Sequence, residues 1–171
     1  MNRYVITGGP CVGKTTVVGI LEKRGYLIVP EQATVVINRE LKKDSDALPW
    51  KNSVKFEREL AKQQFITERN EQRQGNIFFD RGLVDIYGYT MTENNPVPIL
   101  VRIFGKNRYK KIFLLDTLPD YENSKVRRED KEFALAVHEE IRKAYLLFGY
   151  TVITVPVLSP DERADFITNH L

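Results

Sequence analysis

The sequence predicts a three-layer α/β fold: a five-stranded parallel sheet flanked by helices on both faces. Two observations carry that expectation. Five short apolar runs alternate with segments of helical period, and a glycine-rich turn joins the first run to the first helix. A length of 171 residues suits one domain with a sizeable core, so residues 1–171 are expected to form a single domain.

The first apolar run surrounds Val5 and Ile6 and ends at Thr7. Gly8, Gly9 and Pro10 then break regular structure. A helical pattern covers Lys14 to Arg24, with Gly25 placed to stop it. Tyr26 to Val29 reads as the second strand, closed by Pro30, and Ala33 to Lys43 as the second helix. After a loop at 44–49, Trp50 is expected to be a packing anchor. Ser53 is placed to cap a long polar helix that reaches about Gln74, before Gly75.

Asn76 to Phe79 is a buried-type strand ending at Asp80, and a helix follows over Asp85 to Glu93. Pro96 and Pro98 mark a break before the fourth strand, Lys111 to Leu115, which ends at Asp116. The polar segment 117–129 has no period and reads as a loop. Phe133, Val137, Ile141, Ala144 and Phe148 recur at helical spacing up to Gly149. Thr151 to Val155 is the last strand. Ser159, Pro160, Asp161 and Glu162 form a capping box with proline at the first helical position, opening a terminal helix.

Composition excludes several classes. Apolar residues make up 42% and charged residues 29%, the balance of a globular chain. A single cysteine, Cys11, rules out an internal disulfide framework and a cysteine-based zinc site. No apolar run approaches the roughly 18 residues that span a bilayer, and no signal-peptide layout opens the chain; a cytoplasmic location is the expectation. The formal net charge of +3 is too small to argue for nucleic acid. Arg102, Lys106, Arg108, Lys110 and Lys111 do crowd one stretch, as solvated surface or as a nucleic-acid contact.

Gly8-Gly9-Pro10-Cys11-Val12-Gly13-Lys14-Thr15 matches the pattern G-x-x-x-x-G-K-[ST]. Glycines let such a turn curl and aim several backbone N–H groups at one point. The helix starting near Lys14 adds the positive end of its dipole. Lys14 is placed to reach the β- and γ-phosphates of a nucleotide, the Thr15 hydroxyl to hold magnesium, and Thr16 continues the binding segment. Cys11 reads as a small filler or as a redox-sensitive thiol. The motif sits between a strand and a helix, so it predicts a P-loop NTPase fold that binds ATP and Mg2+.

Ligands of an open parallel sheet lie beyond the carboxyl ends of its strands. Glu31, Asp80 and Asp116 fall there. Asp80 closes Ile77-Phe78-Phe79, the form expected of a magnesium-organising carboxylate, with Arg81 next to it for phosphate oxygens; capping the next helix is the alternative. Glu31 is placed to accept a proton from an acceptor hydroxyl, or it is an acidic residue favoured by a helix dipole. Asp116 competes with Asp80 for magnesium, or shapes the turn at Thr117-Leu118-Pro119. Arg127 and Arg128 suit a loop that clamps phosphates, with solvated charge as the other reading.

The opening segment Val5–Thr16 resembles that of a family of short bacterial proteins labelled AAA-type ATP-binding proteins or predicted kinases. The likeness continues in Val29-Pro30-Glu31, Phe78-Phe79-Asp80-Arg81-Gly82, Val126-Arg127-Arg128 and Val155-Pro156-Val157. The layout is also similar to that of nucleoside and nucleotide kinases. That resemblance implies strand order 2-3-1-4-5, Glu31 as base, Asp80–Arg81 as the acid–arginine pair, Arg127 and Arg128 on a lid, and adenine near Pro156. Gly82 departs from the serine or aromatic residue common in those kinases.

A ring-forming motor is not expected, because such motors usually carry two successive acids after the third strand and this chain has Asp80–Arg81 there. No N-K-x-D guanine signature and no L-S-G-G-Q transporter stretch occurs. The leading expectation is a kinase that passes the γ-phosphate of ATP to a nucleoside, nucleotide or similar small acceptor. The alternative is an ATP-hydrolysing, nucleotide-gated switch that binds a protein partner.

Overall fold

The computed structural model describes residues 1–118 and 131–171. Five strands form one all-parallel sheet: β1 (Asn2–Thr7), β2 (Leu27–Val29), β3 (Asn76–Asp80), β4 (Lys111–Leu115) and β5 (Val152–Val155), in the order β2-β3-β1-β4-β5. The expected α/β architecture and strand order are therefore present. Val5 lies opposite Phe79 on one side and Ile112 on the other. This register puts Thr7, Val29, Asp80, Leu115 and Val155 at one edge of the sheet, where the loops that follow them converge.

Among the described residues, seven helices surround the sheet: α1 (Lys14–Lys23), α2 (Ala33–Lys42), α3 (Ser53–Asn70), α4 (Asp85–Thr92), α5 (Ile99–Phe104), α6 (Lys131–Leu147) and α7 (Pro160–Asn169). The strands are apolar on both faces because both faces are covered. Val5, Ile77, Phe79, Ile112 and Leu114 pack with Val137, Ile141 and Tyr145 of α6. Their neighbours in sequence, Tyr4, Ile6, Phe78, Phe113 and Leu115, pack against Val17 and Leu21 of α1 and Ala164 and Ile167 of α7. The period of two along each strand divides the chain into two cores. A smaller cluster of Ala61, Leu83, Ile86 and Val101 seats α3, α4 and α5.

The capping box of α7 is complete: the Glu162 N–H donates to the Ser159 hydroxyl, and the Ser159 N–H donates to the Glu162 carboxylate. Other boundaries differ from expectation. Asn52, not Ser53, caps α3, accepting from the Lys55 N–H at 3.1 Å. That helix ends at Asn70 rather than Gln74. The helix α5 was not foreseen: it is six residues long, and Ile99 and Ile103 on it are both 61% exposed, so its apolar residues do not sort onto one face. Trp50 is 59% exposed, which removes it from the core. Among the described residues, no helix is long and apolar enough to cross a membrane.

Candidate active site at the carboxyl ends of the strands

The phosphate-binding turn runs from the end of β1 into α1. Gly8 takes φ 138°, and a Cβ there would sit 2.8 Å from the Leu115 carbonyl oxygen, so only glycine fits between the turn and β4. Gly13 caps α1 in the left-handed region at φ 87°. Lys14 is buried, and its Nζ donates to the carbonyl oxygens of Gly8 and Gly9 at 3.1 and 2.6 Å, holding the ammonium across the turn. Thr15 and Thr16 stay exposed on the first turn of α1.

Two side chains brace this turn from outside, and sequence reasoning assigned neither a role. Arg163 of α7 donates to the carbonyl oxygens of Val12 at 2.7 Å, Pro156 at 3.0 Å and Asp116 at 3.2 Å. It thereby ties the turn to the ends of β4 and β5. His138 of α6 accepts the Gly9 N–H at Nδ1, 3.2 Å away. Burial pushes its imidazole below the usual range and the nearby Lys14 adds to that, while Asp116 opposes it. A neutral ring is the form that can accept this hydrogen bond.

The acid–arginine pair closes β3. Asp80 is buried, and burial pushes its carboxyl upward; Arg81 and Lys14 pull it back, and Glu31 and Asp85 add to the rise. Arg81 is the hub of the site. Its backbone is left-handed at φ 68°, a conformation that costs roughly 1 kcal/mol or more in a residue with a side chain. Its Nε donates to Glu31 at 2.9 Å, one NH group reaches the Gly8 carbonyl oxygen at 3.3 Å, and the guanidinium lies 5.2 Å from the centre of the Tyr89 ring.

Asp85 holds this hub in place and was read from sequence only as a helix start. It is buried at the first turn of α4 and accepts from the Thr7 and Tyr145 hydroxyls and from the Gly82 N–H at 2.9 Å, with Arg81 at 3.5 Å. Gly82 has no room for a side chain, because a Cβ would meet the Tyr109 hydroxyl at 2.7 Å and that of Tyr145 at 2.8 Å. The departure from serine at this position therefore follows from the two tyrosines. Asp85→Ala would strip partners from a buried guanidinium and two buried hydroxyls. It is expected to lower unfolding free energy by about 3–5 kcal/mol, measured by urea titration.

Asp116 closes β4: its carboxylate accepts the Thr117 N–H at 2.8 Å, and its own N–H donates to the Val155 carbonyl oxygen. The basic stretch does not form one patch. Arg108 is paired with the buried Glu68 at 2.6 Å, and Lys111 donates to the His170 carbonyl oxygen. Arg127 and Arg128 lie outside the described residues.

Next to the turn opens a cavity of about 840 Å³. Glu31, Arg81 and Gln64 line one part of it, and Trp50, Tyr89 and Phe133 another. Gln64 is fixed by its donation to Glu68 at 2.9 Å and to the Arg81 carbonyl oxygen at 3.2 Å. Glu57 also lines the cavity; it is only 4% exposed, and its Oε2 has no hydrogen-bond partner among the described residues. Burial, reinforced by Glu93 and opposed by Arg81, pushes its carboxyl from 4.5 to about 8. A carboxyl raised in the folded state stabilises fully below its unfolded value, and that contribution is lost as pH rises towards 8. Each unit of the rise corresponds to about 1.4 kcal/mol. Glu57→Gln is therefore expected to be more stable than the parent near pH 9 by a few kcal/mol and about equal near pH 4, as read by thermal melts.

The family profile described as AAA domain matches residues 3–163. No curated protein matches the chain significantly. Among solved structures, deoxyadenosine kinase from M. mycoides with bound dATP superposes with a TM-score of 0.69 at 16% identity, covering 99% of this chain and 98% of that one. The same enzyme with products dCMP and a flexible dCDP gives 0.68 at 16% identity, over 98% and 97%. NadR in complex with NR gives 0.71 at 15% identity, over 98% of this chain but 49% of NadR, so the chain spans about half of that protein. At these identities the likeness concerns the fold.

Proposed function

The chain belongs to the AAA-domain family, and from that premise we propose that it is a small-molecule kinase. ATP sits on the phosphate-binding turn, and a hydroxyl-bearing acceptor of the nucleoside or nucleotide kind sits in the adjoining cavity. One observation carries this reading. Arg81 touches the turn at Gly8, pairs with Glu31, and lines the cavity together with it. A phosphate donor and an acceptor would meet across that pair.

The acceptor oxygen bonds to the γ-phosphorus as the bond to the β,γ-bridging oxygen breaks and ADP leaves. Glu31 takes the proton from the attacking hydroxyl. Lys14 and Arg81 supply positive charge where negative charge spreads over the phosphate oxygens, so catalysis rests on positioning and electrostatics. Backbone N–H groups of the turn from Gly8 to Thr16, Cys11 and Val12 among them, cradle the phosphates, Pro10 shapes the turn without an N–H of its own, and Pro156 flanks the adenine. Arg127 and Arg128 are assigned to clamp the phosphates from segment 119–130.

Magnesium fits the donor set. The Thr15 hydroxyl is exposed on α1, Asp80 closes β3, and among the described residues no cluster of three His, Cys, Asp or Glu competes for an ion. An ion that takes few protein ligands and keeps phosphate oxygens and water suits such a pair. Thr15 and Asp80 would hold it, and it would neutralise phosphate charge.

The test is incubation with ATP and magnesium across a panel of nucleosides, nucleotides and other small alcohols. Release of ADP that depends on an acceptor, with a phosphorylated product, is expected. Hydrolysis indifferent to every acceptor would favour the nucleotide-gated switch, which needs no acceptor cavity beside the phosphates.

A further inference from the structure

Arg163 reaches the phosphate-binding turn from α7, and what it holds there bears on where the turn points its N–H groups. Its Nη1 donates to the Val12 carbonyl oxygen at 2.7 Å, while Nε and Nη2 donate to those of Pro156 and Asp116 at 3.0 and 3.2 Å. A planar guanidinium can serve three acceptors in fixed directions at once. The side chain is buried, and α7 sets its place. The Arg163 N–H donates to the Ser159 carbonyl oxygen at 2.9 Å in the first turn of that helix. Its neighbour Ala164 and Ile167 pack with Val17 and Leu21 of α1. Arg24, just past the end of α1, pairs with Asp161 and Asp165 at 3.3 and 2.7 Å. The helix that carries the arginine and the helix that follows the turn are therefore one packed pair.

The Val12 carbonyl lies one residue ahead of the α1 ladder, in which the Val17 N–H donates to the Gly13 carbonyl oxygen at 3.2 Å. In a planar trans peptide the C=O and the following N–H point in opposite directions. Drawing the Val12 oxygen towards α7 thus turns the Gly13 N–H away from α7. Gly13 lies close to the fork, since a Cβ on it would stand 3.7 Å from the Arg163 Nη1.

We propose that Arg163 is a positioning residue for the nucleotide. By holding the Val12 carbonyl it aims the Gly13 N–H at the bound phosphates. By holding the Asp116 and Pro156 carbonyls it keeps the turn in register with the ends of β4 and β5. It acts through the backbone and touches no ligand. The proposal rests on the reading of the turn as a phosphate site, and it is independent of the acceptor and of whether transfer follows.

Calorimetric titration of the full chain with a non-hydrolysable ATP analogue and magnesium tests this on two variants. Arg163→Met fills much of the same space without donors, and Arg163→Lys keeps the charge but offers a point donor in place of the fork. The bond at stake, from the Gly13 N–H to a charged phosphate, is worth about tenfold to 100-fold in affinity. Arg163→Met is expected to lose that much, and Arg163→Lys about tenfold. In NMR spectra of protein labelled at glycine nitrogen, the Gly13 amide proton of the parent is expected to move downfield on binding. In Arg163→Met it should move less than half as far. Thermal melts establish that each variant is folded at the assay temperature; where Arg163→Met is not, Arg163→Lys carries the comparison.

Affinity within about threefold of the parent in either folded variant overturns the proposal and leaves the phosphate site standing. An unchanged Gly13 shift overturns it too, because a residue that only stabilises the fold would leave that proton where it is. Absence of nucleotide binding in the parent removes the phosphate site and the positioning role together. Binding that both variants weaken, with no transfer to any acceptor, supports the positioning role while the kinase reading fails.

Discussion

Replacing Lys14 by alanine is expected to abolish ATP–magnesium binding, with affinity falling by about 100-fold or more and turnover lost with it. A hydrogen bond to a charged group contributes about 1.5–3 kcal/mol, and an ammonium that bridges two phosphates makes more than one. Lys14 is also buried and already anchored to the Gly8 and Gly9 carbonyl oxygens, so its charge is held in place before any ligand arrives. Thermal melts of the variant separate this loss from unfolding of the turn. Calorimetric titration with ATP and magnesium reads it directly, and binding within about threefold of the parent would contradict the assignment.

Glu31→Gln is expected to spare ATP affinity and slow transfer, with kcat falling by about 100-fold to 10,000-fold, the range that a positioned general base supplies. The amide keeps the shape of the carboxylate and can still accept from Arg81, so the junction between turn and cavity persists. What it loses is the capacity to take a proton. If kcat holds while only KM moves, Glu31 acts by holding Arg81 and not as a base. Asp80, which precedes Arg81 at the end of β3, would then be the group to replace.

Much of this was written in local chemistry. The phosphate-binding turn needs glycine at Gly8 and Gly13, and the strand-end acids Glu31, Asp80 and Asp116 follow apolar runs whose ends are plain. The Ser159 capping box and the stop at Gly149 (φ 84°) are likewise local. Strand order was not local; it rested on resemblance, and the parallel register of β3 between β2 and β1 bears it out.

The parts that escaped are polar residues buried by tertiary contacts. Asp85, Glu57, Gln64 and Glu68 lie on helices where an apolar period leaves them looking solvated, yet each is at most 4% exposed. Their partners, Tyr145 for Asp85 and Arg108 and Tyr109 for Glu68, are 40 to 60 residues away in sequence. Only the proximity of Asp85 to the Asp80–Arg81 pair hinted at a role. Trp50 failed in the opposite sense: a large ring beside a loop reads as core, but it sits at the rim of a cavity whose existence depends on α2, α3 and α4 together.

The most direct measurement is a crystal structure of the full chain with a non-hydrolysable ATP analogue and magnesium. The account predicts the triphosphate wrapped by the N–H groups from Gly8 to Thr15, Lys14 on its terminal phosphate, and that phosphate facing the cavity beside Glu31 and Arg81. A nucleotide bound elsewhere, or a terminal phosphate turned away from the cavity, would contradict it.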